Sequence, residues 1–310
     1  MPNQLKVFAP ATVGNLGVGF DLLGFAIHGP GDEIIFKPGK KPGLTITKIT
    51  GARGKLPTDP EKNTAGVAAM SVMKYYDAEN EAIEIEIRKK MPMASGMGSS
   101  AASAVAGAFG VAKYLRLGLQ KKELLKFAME GEFIATQSYQ ADNVAPSLLG
   151  GMILTRDNTT YEFKKIHIPE GLIAVVIYPH IKILSKDARD ILSPTVTLAQ
   201  HTQQAGNLAS LIAGLYTSDF ELIKRSIDDV IIEPQRAKLI PHFYQIKEAA
   251  LDLGALGFSI SGAGPAMFAL CDNTMIAGNI IEKANEIYGD NKIHITTYLS
   301  SVNHEGAFLY

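Results

Sequence analysis

Residues 92–101 read Pro92-Met93-Ala94-Ser95-Gly96-Met97-Gly98-Ser99-Ser100-Ala101. They follow Ala82–Lys89, where Ile83, Ile85 and Ile87 alternate with Glu84 and Glu86, the period of a strand with one buried face. They precede Ser99–Leu115, a run of Ala, Val and Gly that reads as a helix. Gly96 and Gly98 can adopt backbone angles that a Cβ forbids, so successive N–H groups can turn toward one point. The helix start adds free N–H groups and the positive end of its dipole, and both suit a phosphate. The hydroxyls of Ser99 and Ser100 can cap that helix, bind a phosphate oxygen or reach a magnesium ion. A plain N-capped helix after a glycine loop accounts for the same residues, and the loop alone does not choose.

Two common phosphate motifs are excluded. A Walker loop needs Lys directly before its final Ser or Thr, and Gly98 stands before Ser99. The dinucleotide fingerprint G-x-G-x-x-G fails because residue 101 is Ala. A cradle here works mostly through backbone dipoles.

Composition excludes several classes. The chain has 310 residues, enough for two domains with substantial cores. A net charge of −1 with no long basic stretch argues against nucleic acid as partner. The single cysteine, Cys271, excludes an intramolecular disulfide and fits a reducing compartment. It also rules out a zinc-finger type of metal site. The N-terminal residues carry no apolar signal region, and runs such as Gly171–Tyr178 are too short to span a bilayer. The expectation is a cytoplasmic protein with a small-molecule substrate and no membrane partner.

The pattern along the chain is that of an α+β protein in two parts. Leu5–Ala9, Glu33–Lys37, Leu44–Ile49 and Ala82–Lys89 read as strands, and Asn63–Tyr76, Ser99–Leu115 and Lys121–Gln137 as helices. Met152–Ile168 reads as strands broken by a hairpin turn at Arg156-Asp157-Asn158. Gly171–Tyr178 opens a second unit. Helices follow near 195–215, 218–228 and 241–253, with strands at 256–260, 266–270 and 292–298. Strands paired in sequence with helices between them suggest a ferredoxin-like second domain. The expected division is 1–168 and 169–310.

Five further segments ask for an explanation. Ala9–Asp21 contains Gly14, Gly17 and Gly19, which let backbone approach a ligand, with Asn15 and Asp21 as polar groups; an Asx turn and a solvating charge explain these two as well. Asp142-Asn143-Val144-Ala145-Pro146 lies past a helix bearing Glu132. Asp142 can orient an alcohol or amine, or merely turn the chain. Glu132 facing a phosphate cradle is useful with a cation between them, although a solvated helix face is the commoner place for Glu. Arg189, in Ser185–Arg189, and Arg236, in Glu233-Pro234-Gln235-Arg236, would recognise a carboxylate bidentately if they converge. Surface charge is the plainer account of each. The glycine-rich Ser259–Ala266 separates two apolar strands and either closes over a ligand or makes a turn.

Residues 92–101 resemble the phosphate-binding signature P-x-x-x-G-L-G-S-S-A of the GHMP kinases (galactokinase, homoserine kinase, mevalonate kinase, phosphomevalonate kinase), with Met97 for Leu the one departure. From Val7 to about Leu270 the order of N-L-G-V-G-F-D (15–21), D-N-V-A-P (142–146), L-L-G-G (148–151), A-R (188–189), E-P-x-R (233–236) and S-G-A-G-P (261–265) is similar to the homoserine kinase branch. The resemblance implies a two-domain fold, an N-terminal ribosomal-protein-S5-like α+β domain and a C-terminal ferredoxin-like α+β domain. It implies ATP as phosphoryl donor, Mg2+, L-homoserine as acceptor, O-phospho-L-homoserine as product and a homodimer.

By position, the resemblance places Pro92, Met93, Ala94, Ser95, Gly96, Met97, Gly98, Ser99, Ser100, Gly262 and Gly264 around the triphosphate and Asn63 near adenine. Ser100 and Glu132 would hold magnesium. Asn15, Asp21, Gln140, Asp142, Arg189 and Arg236 would surround the acceptor, with Asp142, Asn143 and Asn15 in catalytic roles. Acidic groups suit the ammonium and hydroxyl, and arginines the carboxylate. Gln140 departs from the His usual in the family, and His242 from a frequent Gly. Gln donates a hydrogen bond but shuttles no proton near neutral pH. Asn143 stands where mevalonate-kinase-like relatives use an Asp base. The expectation is therefore a hydroxyl oriented by Asp142 or Asn15 that loses its proton late, to the phosphate. A related kinase for shikimate or mevalonate, or a non-catalytic nucleotide-binding relative, remains the alternative.

Overall fold

The computed structural model describes residues 2–310, with the side chains of Ser185 and Lys186 outside the description. In chain order the elements are β1 (Leu5–Gly14), β2 (Leu23–Pro38), β3 (Gly43–Thr50), α1 (Thr64–Tyr75), β4 (Ala82–Arg88), α2 (Ser99–Tyr114), α3 (Leu125–Thr136), α4 (Ala141–Leu149), β5 (Met152–Asp157) and β6 (Glu162–Ile166). The chain continues with β7 (Ile173–Pro179), α5 (Ser185–Asp190), α6 (Leu198–Thr217), α7 (Phe220–Ser226), α8 (Glu233–Arg236), α9 (Phe243–Asp252), β8 (Gly257–Ile260), β9 (Met267–Cys271), α10 (Thr274–Asp290), β10 (Ile295–Ser301) and β11 (Phe308–Leu309).

Alternation in β4 does what the sequence predicts. Ile83, Ile85 and Ile87 are buried, and the strand lies antiparallel to β2 and parallel to β3. The first sheet has the order β11-β1-β2-β4-β3, with β5 on β2 and β6 on β5. Helix α2 packs on this sheet and under α1 and α3, so 14 of its 16 residues are buried and none of its faces is wet. Small side chains permit that enclosure. A Cβ on Gly110 would stand 2.0 Å from the ring of Phe36. The second sheet has the order β10-β7-β9-β8, the ferredoxin-like arrangement. Phe25 of β2 meets Phe268 of β9 edge to face at 6.5 Å, so the two sheets share one core.

Several expectations are corrected. Residues 142–146, for which a turn or cap was one of the readings and no helix was expected, form α4 with Pro146 inside it. Pro146 offers no N–H to the Asp142 carbonyl, and that carbonyl instead packs against Gly24, where a Cβ would lie 1.9 Å away. Burial of seven of the nine α4 residues overrides the turn-forming Asp-Asn pair. Helix α10 was not expected from the pattern. The 156–158 hairpin turn falls later, between Asp157 and Glu162, and Lys121–Gln137 begins as a 3-10 turn before α3. The last residues return to the first sheet: β11 pairs with β1 and Val302 bridges Ile27, so a strict 169–310 unit is crossed by its own C-terminal arm. His242 has φ +61, a conformation in which glycine is at ease, which explains a Gly preference there. Among the described residues no helix is long and apolar enough to cross a membrane.

Candidate active site

The loop between β4 and α2 is held by its carbonyls. Ser95 O accepts from Ala266 N at 2.9 Å, Gly96 O from Ser261 Oγ at 2.7 Å and Met97 O from Thr12 N at 3.1 Å. Pro92, Met93 and Ala94 are half-buried, while Met97 is a fully buried plug. Gly98 is the N-cap of α2 at φ +67, and no side chain caps the helix. The first intrahelical bond is Ala102 N to Gly98 O, which leaves the Ser99, Ser100 and Ala101 amides without a helical partner. An uncapped start of a sixteen-residue helix is an anion site.

Beneath it lies a group the sequence did not reveal. Lys89 Nζ is ion-paired with Asp32 and donates to Ser103 Oγ at 2.9 Å and to the Ser99 carbonyl at 2.7 Å, all buried. These residues come from a strand end, a second strand and a helix, and no local motif joins them.

Ser100 Oγ donates to Glu132 Oε1 at 2.8 Å. Glu132 Oε2 and Ser99 Oγ are buried with no hydrogen-bond partner among the described residues. Burial pushes the Glu132 carboxyl up to about 8, the nearby Asp142 charge adds to this, and the Ser100 bond opposes it. A hard cation would relieve that orphaned oxygen. Among the described residues no cluster of three or more His, Cys, Asp or Glu side chains can hold a metal. Few protein ligands with the remainder from phosphate and water is the habit of magnesium, and Ser100 with Glu132 fits it.

Asn63 caps α1: its Oδ1 accepts from Ala65 N at 3.0 Å, and its Nδ2 donates to Pro57 O at 2.9 Å. Its side chain is thus engaged within the protein. Gly262 and Gly264, both at positive φ, lie against Gly96. The Gly262 carbonyl accepts from Asn15 Nδ2 at 2.8 Å and from Arg236 Nη1 at 3.0 Å, tying the second glycine loop to the polar groups nearby.

The two arginines converge. Arg189 and Arg236 place their guanidinium carbons 5.8 and 5.0 Å from the centre of the Phe20 ring. Arg189 reaches Asp21 Oδ2 at 3.3 Å and Gln140 Oε1 at 2.6 Å. Gln140 Nε2 donates to Asp21 Oδ2 at 2.7 Å. Arg236 also donates to the Ala188 carbonyl at 2.8 Å. Burial pulls Arg236 down to about 10 while Asp21 opposes the shift. Asp21 itself is raised by burial, against the pull of Arg189. Asn15 Oδ1 accepts from Asp21 N at 3.0 Å and so shapes that turn.

Asp142 and Asn143 join this polar site to the cradle. Asn143 Nδ2 donates to Asp142 Oδ2 at 3.0 Å, and its Oδ1 accepts from Thr12 Oγ1 at 2.7 Å. A Cβ on Gly98 would lie 3.1 Å from Asn143 Oδ1 and 2.1 Å from Thr12 Oγ1. Burial, and then the Asp21 charge, raises Asp142 to about 7. Thr12 was not singled out from the sequence, and Phe20 was read only as part of the 15–21 motif, with no role given to its side chain. A groove of about 400 Å³ between α1 and α3, lined by Val67, Met70, Tyr75, Lys126, Phe127 and others, shares none of these residues.

Comparison with known proteins gives the family. Residues 63–151 match the family model "GHMP kinases N terminal domain" and residues 211–290 match "GHMP kinases C terminal". The homoserine kinase of Chlorobium phaeobacteroides (strain BS1) is 42% identical, with 97% of each chain covered. That of Chloroherpeton thalassium is 42% identical, with 92% of each covered. The crystal structure of homoserine kinase from Cytophaga hutchinsonii superposes with a TM-score of 0.97 at 46% identity, over 100% of this chain and 98% of that one. An anion cradle at a buried helix start, on an α+β domain joined to a ferredoxin-like one, defines an ATP-dependent small-molecule kinase of the GHMP class. Within that class the chain belongs to the homoserine kinase family.

Proposed function

We propose that the chain transfers the γ-phosphoryl group of ATP to the side-chain hydroxyl of L-homoserine, giving O-phospho-L-homoserine and ADP on the way to threonine. The observation that carries this is adjacency: Asn143 Oδ1 lies 3.1 Å from where a Cβ on Gly98 would stand, at the N-cap of the anion cradle, and Asn143 bonds to Asp142, beside the Asp21–Gln140–Arg189 cluster. A zwitterion matches that cluster, with Asp21 for its ammonium and Arg189 and Arg236 for its carboxylate. Shikimate or mevalonate would satisfy the arginines and bring no ammonium to Asp21.

Alignment does most of the work in phosphoryl transfer. The α2 amides and the 95–100 backbone hold the triphosphate. Asp142 and Asn15 orient the hydroxyl, whose oxygen bonds to phosphorus as the bond from phosphorus to the ADP oxygen breaks. An amide at Asn143 takes no proton, so the hydroxyl proton leaves late, to an oxygen of the transferred phosphoryl group. Ser100 and Glu132 would hold Mg2+, which when bound neutralises charge on the phosphates.

Incubation with Mg-ATP and L-homoserine, L-serine, shikimate or mevalonate tests the reading. Homoserine-dependent ADP release matched by O-phosphohomoserine is expected. Release with another acceptor alone overturns the substrate, and no ADP release with any acceptor favours a non-catalytic nucleotide-binding protein. The family resemblance also supports a cytoplasmic homodimer, which light scattering on the purified protein checks. We place the domain division at 168/169, with residues 302–310 as an arm of the second domain lying on the first.

A further inference from the structure

Gln140 stands at the N-cap of α4, yet its side chain does not cap the helix. Its amide is turned to two charges instead. Nε2 donates to Asp21 Oδ2 at 2.7 Å, and Oε1 accepts from Arg189 Nη2 at 2.6 Å and from Ser138 Oγ at 3.1 Å. Direct contacts between Arg189 and Asp21 are longer, 3.3 and 3.4 Å. An unmediated Arg–carboxylate fork closes to about 2.7–2.9 Å. The amide therefore carries the short bonds and holds the fork open. A primary amide offers a donor and an acceptor without charge, so it suits both partners at once. Among the described residues Arg236 and Asp142 are the other charges that bear on Asp21 and Arg189 here, and neither bonds to Gln140.

A fully closed Asp21–Arg189 pair would compete with an amino acid for both of its charged ends. We propose that Gln140 is a positioning residue that keeps Asp21 and Arg189 each half-paired, so that an α-ammonium and an α-carboxylate insert between them; this rests on the amino-acid acceptor proposed above. It acts through those two side chains and not by touching the substrate.

The test is a double-mutant cycle with two readouts. One is KM and kcat for L-homoserine. The other is calorimetric binding of L-2-aminobutyrate, a zwitterion with no hydroxyl to phosphorylate, so it stays informative whether or not homoserine is turned over. Gln140→Leu removes both bonds that hold the fork open, so Asp21 and Arg189 close on each other and compete with the ligand; both KM and this Kd are expected to rise about tenfold. Gln140→Glu, whose carboxylate claims Arg189 and repels Asp21, raises them further. In both, kcat stays within about twofold and ADP affinity is unchanged, because Gln140 makes no bond to the cradle. In an Asp21→Asn background Gln140→Leu changes the Kd less than about twofold. An undiminished tenfold rise in that background, or a fall in kcat at constant KM, overturns the proposal. Absence of homoserine turnover by the unaltered protein, with L-2-aminobutyrate still bound through Gln140, overturns the acceptor and leaves the clamp standing.

Discussion

Asp142 shows how burial sets chemistry at a single residue. Its carboxyl is 5% exposed and raised to about 7, against an ordinary value of 3.8. Between those values the folded protein holds a proton that the unfolded chain has released, so stability falls as pH rises from about 4 to about 7. Asp142→Asn removes that cost. Its Tm is expected to equal that of the unaltered protein near pH 4 and to exceed it above pH 8, where about 1 kcal/mol registers as roughly 2–4 °C. Calorimetry at the two pH values checks the sign. Kinetics of the same variant separate its roles: a raised KM for homoserine with kcat retained makes Asp142 a group that orients, and a lost kcat makes it the base.

Helix α2 and its loop carry the argument at the scale of an element. Gly98 combines φ +67 with a Cβ position 2.1 Å from Thr12 Oγ1. Gly98→Ala is expected to strain the backbone by about 1–2 kcal/mol and to push Thr12 off Asn143. It should therefore lower Tm and weaken ADP binding about tenfold or more. Gly206→Ala in α6, where a Cβ meets nothing within 4 Å, supplies the contrast and is expected to stabilise by about 0.5–1 kcal/mol. Equal effects of the two would show that the loop tolerates a side chain. Elements such as β4 and α2 were legible because their periodicity and composition report burial directly. Helix α4 was not, because Asp-Asn followed by Pro signals a turn unless tertiary burial outweighs it.

At the scale of the whole molecule the C-terminal arm closes the structure. Asn303 exchanges backbone bonds with Ala26 and Gly151, Ala307 N donates to Leu148 O, and Tyr310 N donates to Lys6 O. Phe308 stacks near Phe8 with ring centres 5.2 Å apart. The arm thus holds β1, β2 and the end of α4, the helix that carries Asp142 and Asn143. Removing residues 303–310 is expected to lower Tm by about 10 °C, from four or more lost bonds of about 1 kcal/mol each. KM for homoserine should rise as α4 loosens. An unchanged melting curve by calorimetry would show that the arm bears no load.

By itself the sequence determined the α+β class, a glycine loop before a helix at 95–100, the resemblance to GHMP kinases and which polar residues were worth following. Those are local properties: a period of two, glycines before a helix, a motif of ten residues. Tertiary structure alone decided that Arg189 and Arg236 meet over Phe20 and that Asn143 spans from the cradle to Asp142. It alone decided that Lys89 and Asp32 form a buried pair beneath α2. These contacts join segments tens to hundreds of residues apart, and no spacing along the chain encodes which distant side chains will share one low-dielectric site.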